Sequence, residues 1–339
     1  ASAACGLAQT QAMLIVARAV QGLGGAVVSA VALALIVNTF PEGPQRARAM
    51  GVYGFICASG GSIGVLLGGV ITSQFNWHWV FLVNLPLGVA VMLATRFTVD
   101  ADAPPAAPPQ LDIAGAVTVT GSLLCAVYAF VEAAQAGWAS LQTLGLLAVA
   151  AVLFAVFLRI ERRHPAPLMP LSLFAIGNFT ASSIVGALWA AAMFAWFFVC
   201  ALYLQHVLGQ DALQVGLAFL PANLIMAAFS LGLSARMVER YGLRRPLALG
   251  VALAGFGLGL FVWAPVNGSV LWHVMPGMLL LGMGCGMAFN PIMLAAMNGI
   301  PEQDAGVASG VLNTAFMMGG AVGLAVLASL AASVRGAAT

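Results

Sequence analysis

Ten long apolar runs, separated by short polar connections, fill most of the chain: about 12–37, 49–73, 79–97, 113–132, 142–160, 178–204, 212–235, 246–264, 270–293 and 305–332. Each reaches the roughly 20 apolar residues that a helix needs to cross a bilayer. Backbone groups in lipid must be paired internally, which leaves helices or closed barrels. Barrel strands alternate apolar and polar positions, and these runs do not. The pattern predicts an all-α polytopic membrane protein with about ten complete spans.

Composition agrees with that reading. Of 339 residues, 62% are hydrophobic and 6% charged, against about 25% charged in a soluble domain. So few charges could not clothe a water-facing surface, and lipid has to be the solvent. The five cysteines (Cys5, Cys57, Cys125, Cys200, Cys285) are scattered through apolar runs without CxxC spacing, so no disulfide or metal framework is implied. His78, His164, His206 and His273 lie far apart near helix ends. No metal, organic cofactor or nucleic-acid partner is expected, and no HExxH or GxSxG pattern suggests an enzyme.

Arginine placement orients the chain. The basic residues number 12, all arginine. Arg46 and Arg48 follow the first complete span, Arg96 ends the third, Arg159, Arg162 and Arg163 end the fifth, and Arg236, Arg240, Arg244 and Arg245 follow the seventh. The intervening connections carry none, so the positive-inside rule puts these arginines in the cytoplasm and runs the first complete span from outside to inside. An odd number of spans would then precede it if the protein's N-terminus is cytoplasmic. Ala1–Ala8 resembles the tail of such a helix, and the chain is expected to be a piece of something longer.

Arg18 alone sits inside an apolar run. A charge at mid-bilayer costs about 2.5–3.5 kcal/mol on insertion scales, so it should face protein or water, or snorkel to the outer interface. Gln21 shares its helix face. Gly60, Gly64 and Gly68 repeat every four residues, a spacing that lets a helix come close and also occurs in ordinary packing. Val99–Gln110 holds four prolines and reads as a cytoplasmic linker. Trp189, Phe194 and Phe197 belong to an aromatic run that lines a cavity or faces lipid. Asn223, Asn290 and Asn313 are polar positions inside late spans. Pro291 either breaks its helix at a binding site or only kinks it.

These segments together resemble the major facilitator superfamily, and within it the fourteen-helix drug:proton antiporter group of the EmrB/QacA type. Arg18-Ala-Val-Gln21-Gly22-Leu-Gly24-Gly25-Ala26 resembles the fourth-helix motif R-x-x-Q-G-x-G-x-A. Gly64-Val65-Leu-Leu-Gly68-Gly69 is similar to the fifth-helix G-P-x-x-G-G, with Val65 in the place of proline. Trp77–Gly88 resembles the entry to helix six. Glu239-Arg240-Tyr241-Gly242-Leu243-Arg244-Arg245 is similar to the D-R-x-G-R-R loop. Gly306–Asn313 and Gly319-Gly320-Ala-Val-Gly323 match helix thirteen.

The resemblance implies an N-terminal transporter bundle over 1–98, a linker over 99–111, two extra helices over 112–164 and a C-terminal bundle over 165–339. Helices one to three, in large part, and fourteen would lie outside the chain. It implies a proton-coupled exporter of hydrophobic or cationic small molecules in the bacterial cytoplasmic membrane, driven by the proton gradient and acting as a monomeric unit, with a periplasmic adaptor as a further partner. Import or exchange of a specific metabolite is the other function that such a fold supports. Arg18 and Gln21 would serve proton coupling. Gly60, Gly64, Gly68 and Gly69 would form the antiporter-motif face, and glycine faces on helices four, five, eleven and thirteen would let the two bundles slide. Glu239, Arg240, Arg244 and Arg245 would form a cytoplasmic charge latch. Trp189, Phe194, Phe197, Asn223, Asn290 and Asn313 would line the substrate cavity.

Overall fold

A computed structural model of the chain describes residues 1–41, 43–98, 112–165, 167–301 and 304–338. Thirteen α-helices follow one another: α1 (Ser2–Gly6), α2 (Gln11–Thr39), α3 (Pro44–Gln74), α4 (His78–Leu82), α5 (Asn84–Thr98), α6 (Ile113–Ala136), α7 (Leu141–Glu161), α8 (Phe179–Leu202), α9 (Ala212–Ala228), α10 (Ser234–Tyr241), α11 (Arg244–Leu260), α12 (Met275–Met297) and α13 (Ala305–Ala338). Among the described residues, nine helical stretches are long and apolar enough to cross a membrane. α3, with 31 residues, is about 46 Å long at 1.5 Å per residue and adds a tenth by length. The proline-rich linker expected over 99–111 lies outside the described residues.

Local chemistry sets the helix ends. Thr10 Oγ1 accepts from Met13 N at 3.2 Å and starts α2. Asp211 and Gln214 form a reciprocal capping box at α9. Arg46 turns inward, where its guanidinium donates to the carbonyls of Phe40 (3.0 Å) and Val37 (3.1 Å) at the C-terminus of α2. That end carries unpaired carbonyls and partial negative charge, so a buried cation suits it.

Packing follows small residues, as expected where lipid removes the hydrophobic drive between helices. α11 meets α12 through Gly250 against Gly284 and Gly257 against Gly277, and α13 meets α8 through Gly319 and Gly323 against Ala187 and Ala191. Both crossings lie among α8–α13, so Gly250, Gly257, Gly319 and Gly323 are used there and not against α2 or α3. Gly22, Gly24 and Gly25 of α2 face open space. α3 runs along α9 and α12, and α2 along α13, so both of these early helices pack against the later ones. α6 and α7 form a hairpin, with α6 against α13.

α12 runs unbroken through Pro291. Proline there lacks the N–H that would pair with the carbonyl four residues back. That carbonyl, Met287 O, accepts from Ser234 Oγ at 3.2 Å. A second local irregularity faces it. A π-helical turn over Phe229–Leu233 joins α9 to α10, and the Ser230 carbonyl within it accepts from Asn290 Nδ2 at 3.2 Å.

Candidate functional site

A cavity of about 890 Å³ lies between α2 and α3 on one side and helices α8, α9, α12 and α13 on the other. That size suits a drug-sized ligand, for which pockets of about 300–1,000 Å³ are usual. Eight aromatic side chains stand in its wall. Phe316 stands at the centre of a ring cluster, with centroids 5.5 Å from Trp189, 6.0 Å from Phe289 and 6.4 Å from Phe194. Trp189 and Phe289 are 5.4 Å apart, and Phe197 stacks on Phe219 at 5.1 Å. Tilted and edge-on pairs of this kind each add about 0.5–1.5 kcal/mol beyond area burial, so the wall is held in shape before a ligand arrives. Tyr53, Cys57, Gln205 and Asn313 supply polar points.

The cavity reaches Thr72, Gln205 and Ala212 at the helix ends remote from Arg46 and Arg48. Toward the helix ends that carry Arg46 and Arg48 stands an apolar plug in which Leu33 and Val37 of α2, Met50 of α3, Met293 and Met297 of α12 and Leu312 of α13 are all buried. Residues from both helix groups meet in it, so it can part only if the groups separate.

The seam beside this plug is built on two glycines. A Cβ on Gly51 would stand 2.8 Å from Ser230 O, and one on Gly54 would stand 2.5 Å from Asn290 Oδ1. Asn290 is buried and its Oδ1 has no donor. The irregular turn, the asparagine and the two glycines thus form one contact between α3 and the C-terminal group.

The structure sorts the residues singled out in the sequence. Trp189, Phe194, Phe197 and Asn313 line the cavity, as do Gly68 and Gly69. Asn223 and Asn290 are buried outside its wall; Asn290 is used in the seam. A Cβ on Gly60, Gly64 or Gly68 would meet nothing within 4 Å, so that repeat is not a close-approach face. Gly69 does approach, 3.1 Å from Ala212 O. Gly51, Gly54, Tyr53, Phe289 and Phe316 were not picked out as site residues. Glycines three apart on α3 signalled the seam, but their spacing could not say which face meets a neighbour.

Arg18 Nη1 donates to Gln21 Oε1 at 2.7 Å, and Gln21 Nε2 donates to Ser2 Oγ at 2.9 Å. The Arg18 guanidinium also lies 5.7 Å from the Phe81 ring centroid, and His78 Nδ1 donates to Gly6 O at 2.9 Å. The pair is therefore tied to α1 and α4 near the outer end of α2, with Arg18 itself exposed. Among the described residues no carboxylate pairs with it. At the opposite end, Glu239 shares a cavity of about 540 Å³ with Arg46 and Pro44, while Arg240 lies over the ring of Tyr241 at 5.4 Å. Among the described residues Glu239, Arg240, Arg244 and Arg245 form no ion pair with one another. No group of three His, Cys, Asp or Glu side chains gathers among the described residues to hold a metal.

Comparison with known proteins agrees with this architecture. Residues 1–324 match the family model described as Major Facilitator Superfamily. The chain is 35% identical over 332 residues to the multidrug resistance protein Stp of Mycobacterium tuberculosis, covering 98% of this chain and 61% of the relative. It is 33% identical to the cephamycin export protein CmcT of Amycolatopsis lactamdurans (97% of this chain, 68% of the relative). It is also 33% identical to the tetracenomycin C resistance and export protein of Streptomyces glaucescens (98% and 61%). The chain spans about six-tenths of the length of Stp. It belongs to the major facilitator superfamily and is a multi-pass cell-membrane protein.

Proposed function

We propose that this member of the superfamily works as a proton-coupled exporter of hydrophobic or cationic small molecules, by alternating access. The observation that carries the reading is the aromatic cavity, sized for a drug-like molecule and set against a plug that both helix groups share. Relatives named for multidrug resistance, cephamycin export and tetracenomycin C export support it. The α6–α7 hairpin between the two groups supports placement in the fourteen-helix drug:proton antiporter group.

In this mechanism the substrate sits against the ring cluster around Phe316. The α3 seam closes the cytoplasmic side and opens as the groups rock. The Arg18–Gln21 pair, already oriented by Ser2 and Phe81, provides a fixed positive charge that would hold in its charged form a carboxyl brought beside it; among the described residues none stands there. The exposed Glu239–Arg245 loop pairs and unpairs with the cycle; exposed ion pairs contribute only about 0–1 kcal/mol, which suits a reversible latch.

The test uses the full-length protein in proteoliposomes with an imposed pH gradient and two fluorescent probes, ethidium and an uncharged polycyclic dye. Probe movement against its own gradient, abolished when the pH gradient is collapsed, is expected. Movement of neither probe under a pH gradient would contradict the reading, and gradient-driven uptake of a single polar metabolite would replace it with the carrier alternative.

A further inference from the structure

The linking hairpin carries two acidic side chains that the transport cavity does not use. Asp112 starts α6, and its Oδ1 accepts from Gly115 N at 2.7 Å. Glu161 ends α7, and its Oε2 accepts from Met169 N at 2.9 Å. Asp112 is 3% exposed and Glu161 4%. Each is left with one buried oxygen that has no donor, Asp112 Oδ2 and Glu161 Oε1. The two converge on one point: both lie within 3.0 Å of where a Cβ on Gly115 would stand. Glycine at that position is what leaves the carboxylates facing each other.

Two buried carboxylate oxygens with no partner are expensive, because buried charges are otherwise paired or bound to metal. The N-terminus of α6 favours the charge on Asp112, but the C-terminus of α7 opposes the charge on Glu161. Arg159, Arg162 and Arg163 in the same connection are exposed. Among the described residues no arginine or histidine pairs with either carboxylate. Two negative charges meeting at one buried point match one hard divalent ion, which accepts one or two carboxylates and completes its shell with carbonyl oxygens and water.

We propose that Asp112 Oδ2 and Glu161 Oε1 bind one divalent cation of the Mg²⁺ or Ca²⁺ type. The ion pins the start of α6 to the end of α7 and so fixes the cytoplasmic base of the hairpin that leans on α13. This site is separate from the transport cavity and does not depend on the transported substrate.

The experiment strips the purified full-length protein with a chelator. Bound ⁴⁵Ca²⁺ is then measured by equilibrium dialysis and bound Mg²⁺ by elemental analysis, at constant ionic strength in NaCl. One saturable divalent ion per chain is expected for the wild type, with a raised melting temperature. Asp112→Asn with Glu161→Gln should bind at least tenfold more weakly, and so should Gly115→Ala, whose methyl group would enter the space between the carboxylates. No saturable binding to the wild type, a measurement that needs no variant, overturns the proposal. So does unchanged binding in the double variant, or a stability that follows pH with no ion bound, which would assign the pair a shared proton.

Discussion

The side-chain oxygen of Asn290 stands 2.5 Å from the place a Cβ on Gly54 would occupy, so α3 and the C-terminal group meet at a contact that only glycine permits. Alanine at 54 must push the Asn290 amide aside and strain its bond to Ser230 O. Overpacking of this kind costs about 1–3 kcal/mol. In the proposed alternating-access cycle the seam parts as the cytoplasmic side opens, so that cost falls on the closed state. Gly54→Ala should shift the full-length protein toward a cytoplasm-open form, read as a longer spin-label distance between Arg48 and Arg240 positions by pulsed electron resonance. An unchanged distance distribution would remove the seam from the gate.

Ser234 and Pro291 are linked through Met287 O. Ser234→Ala should leave that buried carbonyl without a donor and lower stability by about 1–3 kcal/mol. Pro291→Ala restores a backbone N–H to the same carbonyl. The double variant should therefore be more stable than Ser234→Ala alone, as measured by thermal unfolding in detergent. Additive losses would show that the two residues do not share the carbonyl.

Arg18 is held by Gln21 and lies against Phe81, so both its charge and its planar geometry are in use. Arg18→Ala should abolish gradient-driven export while the protein still reaches the membrane. Arg18→Lys should recover little, since an ammonium cannot reproduce a guanidinium that both donates to Gln21 and stacks on an aromatic ring. Full export by Arg18→Ala in vesicles would end its proposed coupling role.

Phe316 touches three rings of the cavity wall. Phe316→Ala should weaken probe binding roughly tenfold, since it removes a ring for the probe to rest on, worth about 0.5–1.5 kcal/mol, and releases the three rings that Phe316 holds in place. Asn223→Ala, at a buried position outside the wall, should change thermal stability and leave probe affinity within about twofold. A titration that ranks the two variants the other way round would move the binding site.

Much of the fold was legible in the chain. Lipid requires long apolar runs and excludes charge, so the long helical spans could be read from hydropathy alone. The site was legible only in part. Gly60, Gly64 and Gly68 share a face by spacing, but spacing cannot say whether that face meets a helix, and here it meets open space. Asn223 and Asn290 looked like cavity residues because polar groups within spans are costly; Asn290 offsets that cost by bonding the carbonyl of an irregular turn formed some sixty positions earlier. Arg46 counted only as a cytoplasmic charge, while its use is to close the end of α2. Each of these depends on a partner distant in sequence, which local pattern does not record.

The central claim is that the aromatic cavity carries the substrate. Cys57 lines it and is exposed, so its modification by a membrane-impermeant maleimide, followed by mass spectrometry of the full-length protein in oriented vesicles, tests the claim most directly. The account predicts labelling from the outer side, slowed severalfold by saturating ethidium or the uncharged dye. Labelling at a rate that neither compound alters would contradict it.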